Sequence, residues 1–191
     1  MEEKNIKVIL TRQEDLFLSL QQRAALSHYW KADLFLSLHL NSSEDPKIGG
    51  LELFYLTPNS KEVREKIQKE AISGNSLYKK TPNPSLNSLL TEIILEHSVL
   101  SSKFLASKIG STLEVGPLKE FGITFRGIGP ELFYVLAFTQ RPSLLIEIGF
   151  FSNPEEREKL LLAEFQEQWA KAVAQGIELF FEEKVQDISL L

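Results

Sequence analysis

The sequence contains no cysteine, which removes disulfides and thiolate metal sites from consideration. It leaves the compartment open, because exported proteins also do without cysteine. Histidine is scarce as well: His28, His39 and His97 are the only three. Positive charge is in deficit, with 21 Lys and Arg against 26 Asp and Glu and a net charge of -5. That balance argues against a general nucleic-acid or acidic-lipid binder, which needs a basic face. No run approaches the ~20 apolar residues of a membrane span. The first five residues carry two acids and lead straight into an apolar run, so they do not read as a signal peptide. Export would require a signal outside this sequence. His-Glu-x-x-His, Walker A and Gly-x-Ser-x-Gly are all missing. Gly127-Ile128-Gly129 lacks the third glycine of a dinucleotide loop and reads as a flexible entry to the next helix.

What is present suits a globular domain. At 43% hydrophobic and 25% charged, 191 residues suffice to bury roughly 70% of the unfolded surface in a single unit. Residues 6–10 read as a strand. Ser19 and Gln22 form a Ser-x-x-Gln capping box that opens a helix running to about Trp30. Strands follow at 34–38 and 51–57, separated by a turn-rich loop with Pro46, Gly49 and Gly50. A charged helix is expected over 60–72, then an irregular stretch over 73–85. A long helix over 86–109 carries Leu86, Leu89, Leu90, Ile93, Ile94, His97, Leu100, Phe104 and Leu105 on one stripe, expected to face the core. Pro130 suits the first turn of a helix through Phe138. A strand at 144–148, a short helix capped by Asn153-Pro154 and a final helix with Phe165, Trp169, Val173, Gly176, Ile177 and Phe180 on one face complete the order. Alternating strands and helices predict a single α/β domain, with a mainly parallel or mixed sheet and helices on both faces.

Two segments carry side chains that a core does not need. Leu34-Phe35-Leu36-Ser37-Leu38-His39-Leu40-Asn41-Ser42 reads as a strand ending in His and Asn. Ser143-Leu144-Leu145-Ile146-Glu147-Ile148-Gly149-Phe150 has a carboxylate set in an apolar run. An unpaired carboxylate there is costly, so Glu147 is either bridged to a buried Arg, placed at an edge, or held as a general base. His39 alone reads first as a hydrogen-bonded strand-end residue and only second as a metal ligand. His28 reads as partly exposed packing, His97 as a core histidine, and Glu92 and Glu96 as a solvated face. Arg126 reads as a surface residue, a brace for Glu147 or a group that binds a substrate carboxylate.

In order along nearly the whole chain, several blocks resemble the zinc-dependent N-acetylmuramoyl-L-alanine amidases. They are Lys7-Val8-Ile9-Leu10-Thr11-Arg12, Ser19 to Ala25, Ala32 to Ser42 with its Ser37-Leu38-His39-Leu40-Asn41, Gly49 to Leu56, Phe125-Arg126-Gly127, Arg141 to Glu155 with its Glu147-Ile148-Gly149-Phe150-Phe151-Ser152-Asn153, and the final helix with Gly176-Ile177. The resemblance implies zinc-dependent hydrolysis of the amide between N-acetylmuramic acid and L-alanine in peptidoglycan. It implies His39 as a zinc ligand and Glu147 as the catalytic carboxylate, with Asn41 and Arg126 as weaker candidates for orienting the site or gripping substrate. The family's first zinc histidine and its metal-binding glutamate are expected in a segment preceding Lys4, so the first βα unit is expected to be missing. Residues 1–183 are expected to form the catalytic domain, incomplete at its amino end, with 184–191 as a flexible tail.

Further expectations follow from the same resemblance. They are a place in the cell envelope or periplasm, work in wall remodelling and septum splitting, and a protein activator. Residues 58–100 leave room for a helix that covers the zinc. The competing expectation is a peptidoglycan-binding remnant or envelope module that holds no metal.

Overall fold

A computed structural model of the chain describes residues 6–57, 65 and 83–189, with backbone alone at 84 and 184–189. Its elements are α1 (Leu20–Tyr29), β1 (Phe35–Asn41), β2 (Leu51–Leu56), α2 (Pro84–Leu113), α3 (Lys119–Phe121), β3 (Phe125–Glu131), α4 (Tyr134–Ala137), β4 (Ser143–Phe150), α5 (Pro154–Leu160) and α6 (Ala163–Ser189). The helix expected over 60–72 and most of the stretch over 73–85 lie outside the described residues.

The four strands form one mixed sheet in the order β1-β4-β2-β3. β1 runs parallel to β4, and β2 parallel to β3, while β4 and β2 are antiparallel. Alternation along a strand sends successive side chains to opposite faces. On one face Leu51, Leu53, Leu144 and Ile146 join Leu105, Ile109 and Leu113 of α2 and Phe165, Trp169, Val173, Ile177 and Phe180 of α6. On the other, Phe35, Leu56 and Leu145 pack with Leu95 of α2 and with Val135, Leu136 and Ala137.

Local signals hold where capping chemistry decides. The Ser19 hydroxyl accepts from Gln22 N, and the Gln22 side chain accepts from Ser19 N. Asn153 accepts from Glu156 N and starts α5 with Pro154 in its first turn. Both patterns satisfy orphan N–H groups of a first helical turn.

Four expectations give way. Residues 6–10 take up no strand pairing, and Val8, Ile9 and Leu10 are exposed. An apolar run becomes a strand only where another backbone meets its N–H and C=O groups. Gly127-Ile128-Gly129 and Pro130 belong to β3, not to a loop and helix start. Pro130 is tolerated because β3 is an edge strand, with neighbours on one side only. The helix that follows is only the single turn of α4.

The fourth concerns α2, whose apolar stripe is buried only toward its carboxyl end, with Leu105 in the core and Phe104 packed against it. Leu86, Leu89, Ile93 and Leu100 are exposed, whereas Thr91, Leu95, Ser98 and Ser102 are buried. His97, expected in the core, is exposed with them. The reason is hydrogen bonding. Ser98 Oγ donates to the Arg141 carbonyl, and Ser102 Oγ accepts from Ser143 N at 2.8 Å. These small hydroxyls bring α2 against the amino end of β4, satisfying backbone that an apolar side chain would strand. At the other end of the chain, α6 remains helical through Ser189.

Candidate active site

The strand register places three ionisable side chains in one row. His39 of β1 is directly opposite Glu147 of β4, and Glu147 is directly opposite Glu52 of β2. Phe35, Leu145 and Phe54 have the same parity as these residues, so the row occupies the sheet face that carries α4. It lies toward the carboxyl ends of β1 and β4, where open α/β sheets place their chemistry.

His39 Nε2 is 3.0 Å from Ser37 Oγ, its neighbour one pleat back on the same face. Much of the His39 ring is open to solvent. Its burial is nonetheless enough to lower the imidazole pKa below 6.5, with the positive charge of Arg23 adding to the effect. The neutral ring, which can act as a ligand or a hydrogen-bonding group, is thereby favoured.

Glu147 shows the opposite shift. Burial raises its carboxyl pKa above 4.5, and the negative charge of Glu52 raises it further. Glu147 Oε2 is buried and has no hydrogen-bond partner among the described residues. A buried acceptor left unpaired costs about 1–3 kcal/mol and marks a place where a proton, water, cation or ligand belongs.

The two weaker candidates have separate positions. Asn41 Oδ1 accepts from Ser42 N at 2.8 Å, and its carbonyl accepts from Phe151 N at 2.8 Å, so it shapes the turn beyond β1. Arg126 sits at an irregularity in the β2–β3 pairing. Leu51 pairs with Phe125 and Glu52 with Gly127, leaving Arg126 as the extra residue of a bulge. Its Nε meets Glu52 Oε1 at 3.0 Å, and its guanidinium carbon lies 5.6 Å from the Phe150 ring centroid. Arg126 therefore braces Glu52 and not Glu147.

Glu52 and Glu156 are the functional candidates that the sequence reading missed. Glu52 had a signal, since a carboxylate alternating with apolar residues in Leu-Glu-Leu-Phe must face something other than the core. Glu156 is buried and accepts from Gly50 N at 2.7 Å and from Phe150 N, while its own N–H donates to Asn153 Oδ1. One carboxylate thus ties the entry of β2, the end of β4 and the start of α5 beside the row.

A cleft of about 430 Å³ lined by Lys31, Asp33, His97 and Arg141 lies at the amino ends of β1 and β4, away from Glu147. The row and not this cleft carries the convergent chemistry.

A family model described as N-acetylmuramoyl-L-alanine amidase matches residues 1–179. The chain belongs to that family. Among amidases in curated proteins, it is 28% identical over 187 residues to N-acetylmuramoyl-L-alanine amidase AmiC of Escherichia coli O6:H1, covering 94% of this chain and 43% of that protein. It is 29% identical over 177 residues to amidase AmiA of Escherichia coli K12, covering 90% and 60%. The chain therefore spans about half of the length of these relatives.

Solved amidases share the fold. The catalytic domain of CwlV from Bacillus (Paenibacillus) polymyxa var. colistinus aligns with a TM-score of 0.57 at 27% identity, over 92% of this chain and 73% of that one. The amidase CwlD of Clostridioides difficile, in complex with the GerS lipoprotein, aligns with a TM-score of 0.67 at 24% identity, over 95% and 78%.

Catalytic zinc takes three protein ligands and a water. Among the described residues of this chain, no three His, Cys, Asp or Glu side chains are grouped to hold a metal. The row offers one imidazole and two carboxylates, and Glu52 is engaged by Arg126. These residues do not by themselves fit a catalytic zinc site.

Proposed function

We propose that this chain carries the site of a peptidoglycan amidase, cleaving the amide between N-acetylmuramic acid and L-alanine. The observation that carries the reading is the buried Oε2 of Glu147, opposite His39 toward the carboxyl end of β4 and without a hydrogen-bond partner among the described residues. The family membership of the chain supports the same reading.

In this reading Glu147 is the proton carrier. Burial and the Glu52 charge bring its pKa upward, toward the range where a carboxylate can both take and return a proton. It accepts a proton from the water that attacks the amide carbonyl, then delivers it to the leaving alanine nitrogen. Arg126, beside Glu52, and Asn41, at the turn beyond β1, are the proposed substrate-binding groups. Zinc is the cofactor proposed from the family resemblance, with His39 as the ligand from this chain. The described residues do not complete its coordination, and no step is assigned to it.

The finer parts of the proposal are action in wall remodelling and septum splitting, location in the envelope or periplasm, and control by a protein activator. The structural relative bound to a lipoprotein supports the last of these. Residues 1–183 are proposed as the amidase domain.

The test is release of the new amine from N-acetylmuramoyl-L-alanyl peptides with zinc supplied, alongside the zinc content of dialysed protein. Cleavage abolished by Glu147→Gln and zinc lost in His39→Ala support the proposal. Binding of the peptides without cleavage sinks the enzymatic reading and leaves a non-catalytic wall-binding module.

A further inference from the structure

The Glu52–Arg126 pair has a construction that the proton chemistry of Glu147 does not require. Two carboxylates directly opposite each other on an antiparallel pair repel, yet Glu52 faces Glu147 in register. Glu52 tolerates that position because Arg126 Nε holds its Oε1 at 3.0 Å. The backbone is arranged to deliver this arginine. Arg126 is the extra residue of the β3 bulge, and Gly127 follows it at φ +114°. Gly50 has φ +118°, and a Cβ there would come within 2.7 Å of both Arg126 Cγ and the Thr124 carbonyl oxygen. No residue with a side chain fits under the arginine at that point.

The order of the sheet adds a second constraint. Glu52 stands between Glu147 on β4 and Arg126 on β3. Its charge gives the arginine a partner one strand short of the catalytic carboxylate. The guanidinium then rests over the Phe150 ring, with 39% of the side chain still exposed. A planar cation held on one edge, backed by an aromatic ring and open to solvent, is suited to a second carboxylate.

We propose that Glu52 is a positioning residue that holds Arg126 ready to bind a carboxylate of the peptide portion of the substrate, so that this site selects acidic stem peptides over amidated ones. The inference rests on the amidase reading of the row, but it concerns selection and not proton transfer.

Two N-acetylmuramoyl peptides of equal length serve as probes, one ending in a free carboxylate and one in a carboxamide. Their binding to the 191-residue chain is measured by calorimetry for wild type, Glu52→Ala, Glu52→Gln, Arg126→Ala and the Glu52→Ala/Arg126→Ala double variant. The wild type should prefer the carboxylate by roughly tenfold, the scale of one charge-assisted contact. Arg126→Ala and both Glu52 variants should lose that preference, and the double variant should be no worse than Arg126→Ala alone. Glu52→Gln keeps the side-chain shape, so a loss there cannot be assigned to a collapsed strand. Retained preference in the Glu52 variants, or additive losses in the double variant, overturns the proposal. Peptides bound and cleaved without preference overturn it while leaving the amidase reading intact. Failure of wild type to bind either peptide overturns both.

Discussion

His39 and Glu147 are adjacent partners across the parallel β1–β4 pair, and Glu147 Oε2 is buried with no hydrogen-bond partner among the described residues. Sequence separates these residues by more than a hundred positions. The sheet makes them neighbours on one face, with Glu52 closing the row from the other side. A carboxylate so placed stores instability that only a proton, a cation or a ligand relieves.

That instability has a measurable sign. The folded pKa of Glu147 is raised above 4.5, so the folded protein holds this proton more tightly than the unfolded chain. Its contribution is fully present below 4.5 and is lost as pH rises through the folded pKa. Glu147→Gln is therefore expected to melt at a higher temperature than wild type at pH 7, with the gap closing below pH 4.5. The same variant should lose roughly 10²–10⁴-fold in amide hydrolysis, the usual scale for a general acid–base group. Thermal melts across pH and a single-substrate assay check both.

His28 has the opposite dependence. Its Nε2 lies 3.0 Å from the Phe138 carbonyl, and its Nδ1 lies 3.4 Å from Arg141 Nη2, which fits a neutral ring donating from Nε2 and accepting at Nδ1. Burial lowers its pKa below 6.5, the Phe138 hydrogen bond opposes this, and the Arg141 charge lowers it further. The unfolded chain therefore binds the proton first as pH falls. Stability is fully present above 6.5 and declines as pH drops through the folded pKa. Denaturation midpoints between pH 7.5 and 5 should fall more steeply for wild type than for His28→Gln. Parallel curves would refute this.

Glu156 is a structural tie and not a solvent-facing charge. Replacing it with Ala strands the N–H groups of Gly50 and Phe150, each buried beside the carboxylate. The expected loss is about 2–6 kcal/mol in urea denaturation, at roughly 1–3 kcal/mol for each unsatisfied donor. Because Gly50 and Phe150 both border Arg126, the same variant should disturb peptide binding.

Gly176 marks a close approach of α6 to α2. A Cβ at this position would lie 2.6 Å from Ile109 Cα and 2.9 Å from Ile109 N. Backbone cannot step aside as a side-chain tip does, so Gly176→Ala should force the two helices apart. The expected cost is about 1–3 kcal/mol, read from the shift in denaturation midpoint.

Much of the fold was legible wherever a local rule decided it. The Ser19–Gln22 box and the Asn153 cap are short-range hydrogen-bond patterns, and they start their helices where the residues stand. The strands at Leu34 to Leu38 and Leu144 to Ile148 are runs with few other ways to bury themselves. His39 and Glu147 stood out because polar groups interrupt those runs. The errors occur where a partner decides. Residues 6–10 have strand composition without a strand to pair with, and Pro130 enters β3 because only one edge of that strand is bonded. In α2 the serines face inward because β4 presents backbone groups to them.

The α/β class, the capped starts of α1 and α5, the family resemblance and the two residues at the centre of the candidate site were readable from the residues alone. Those follow from periodicity, capping chemistry and the cost of placing charge in an apolar run. That Glu147 has His39 on one side and Glu52 on the other, and that Arg126 is bound to Glu52, follows from the folded arrangement of the strands. Register depends on which strands lie side by side, and a shift of one residue would send each of these side chains to the opposite face.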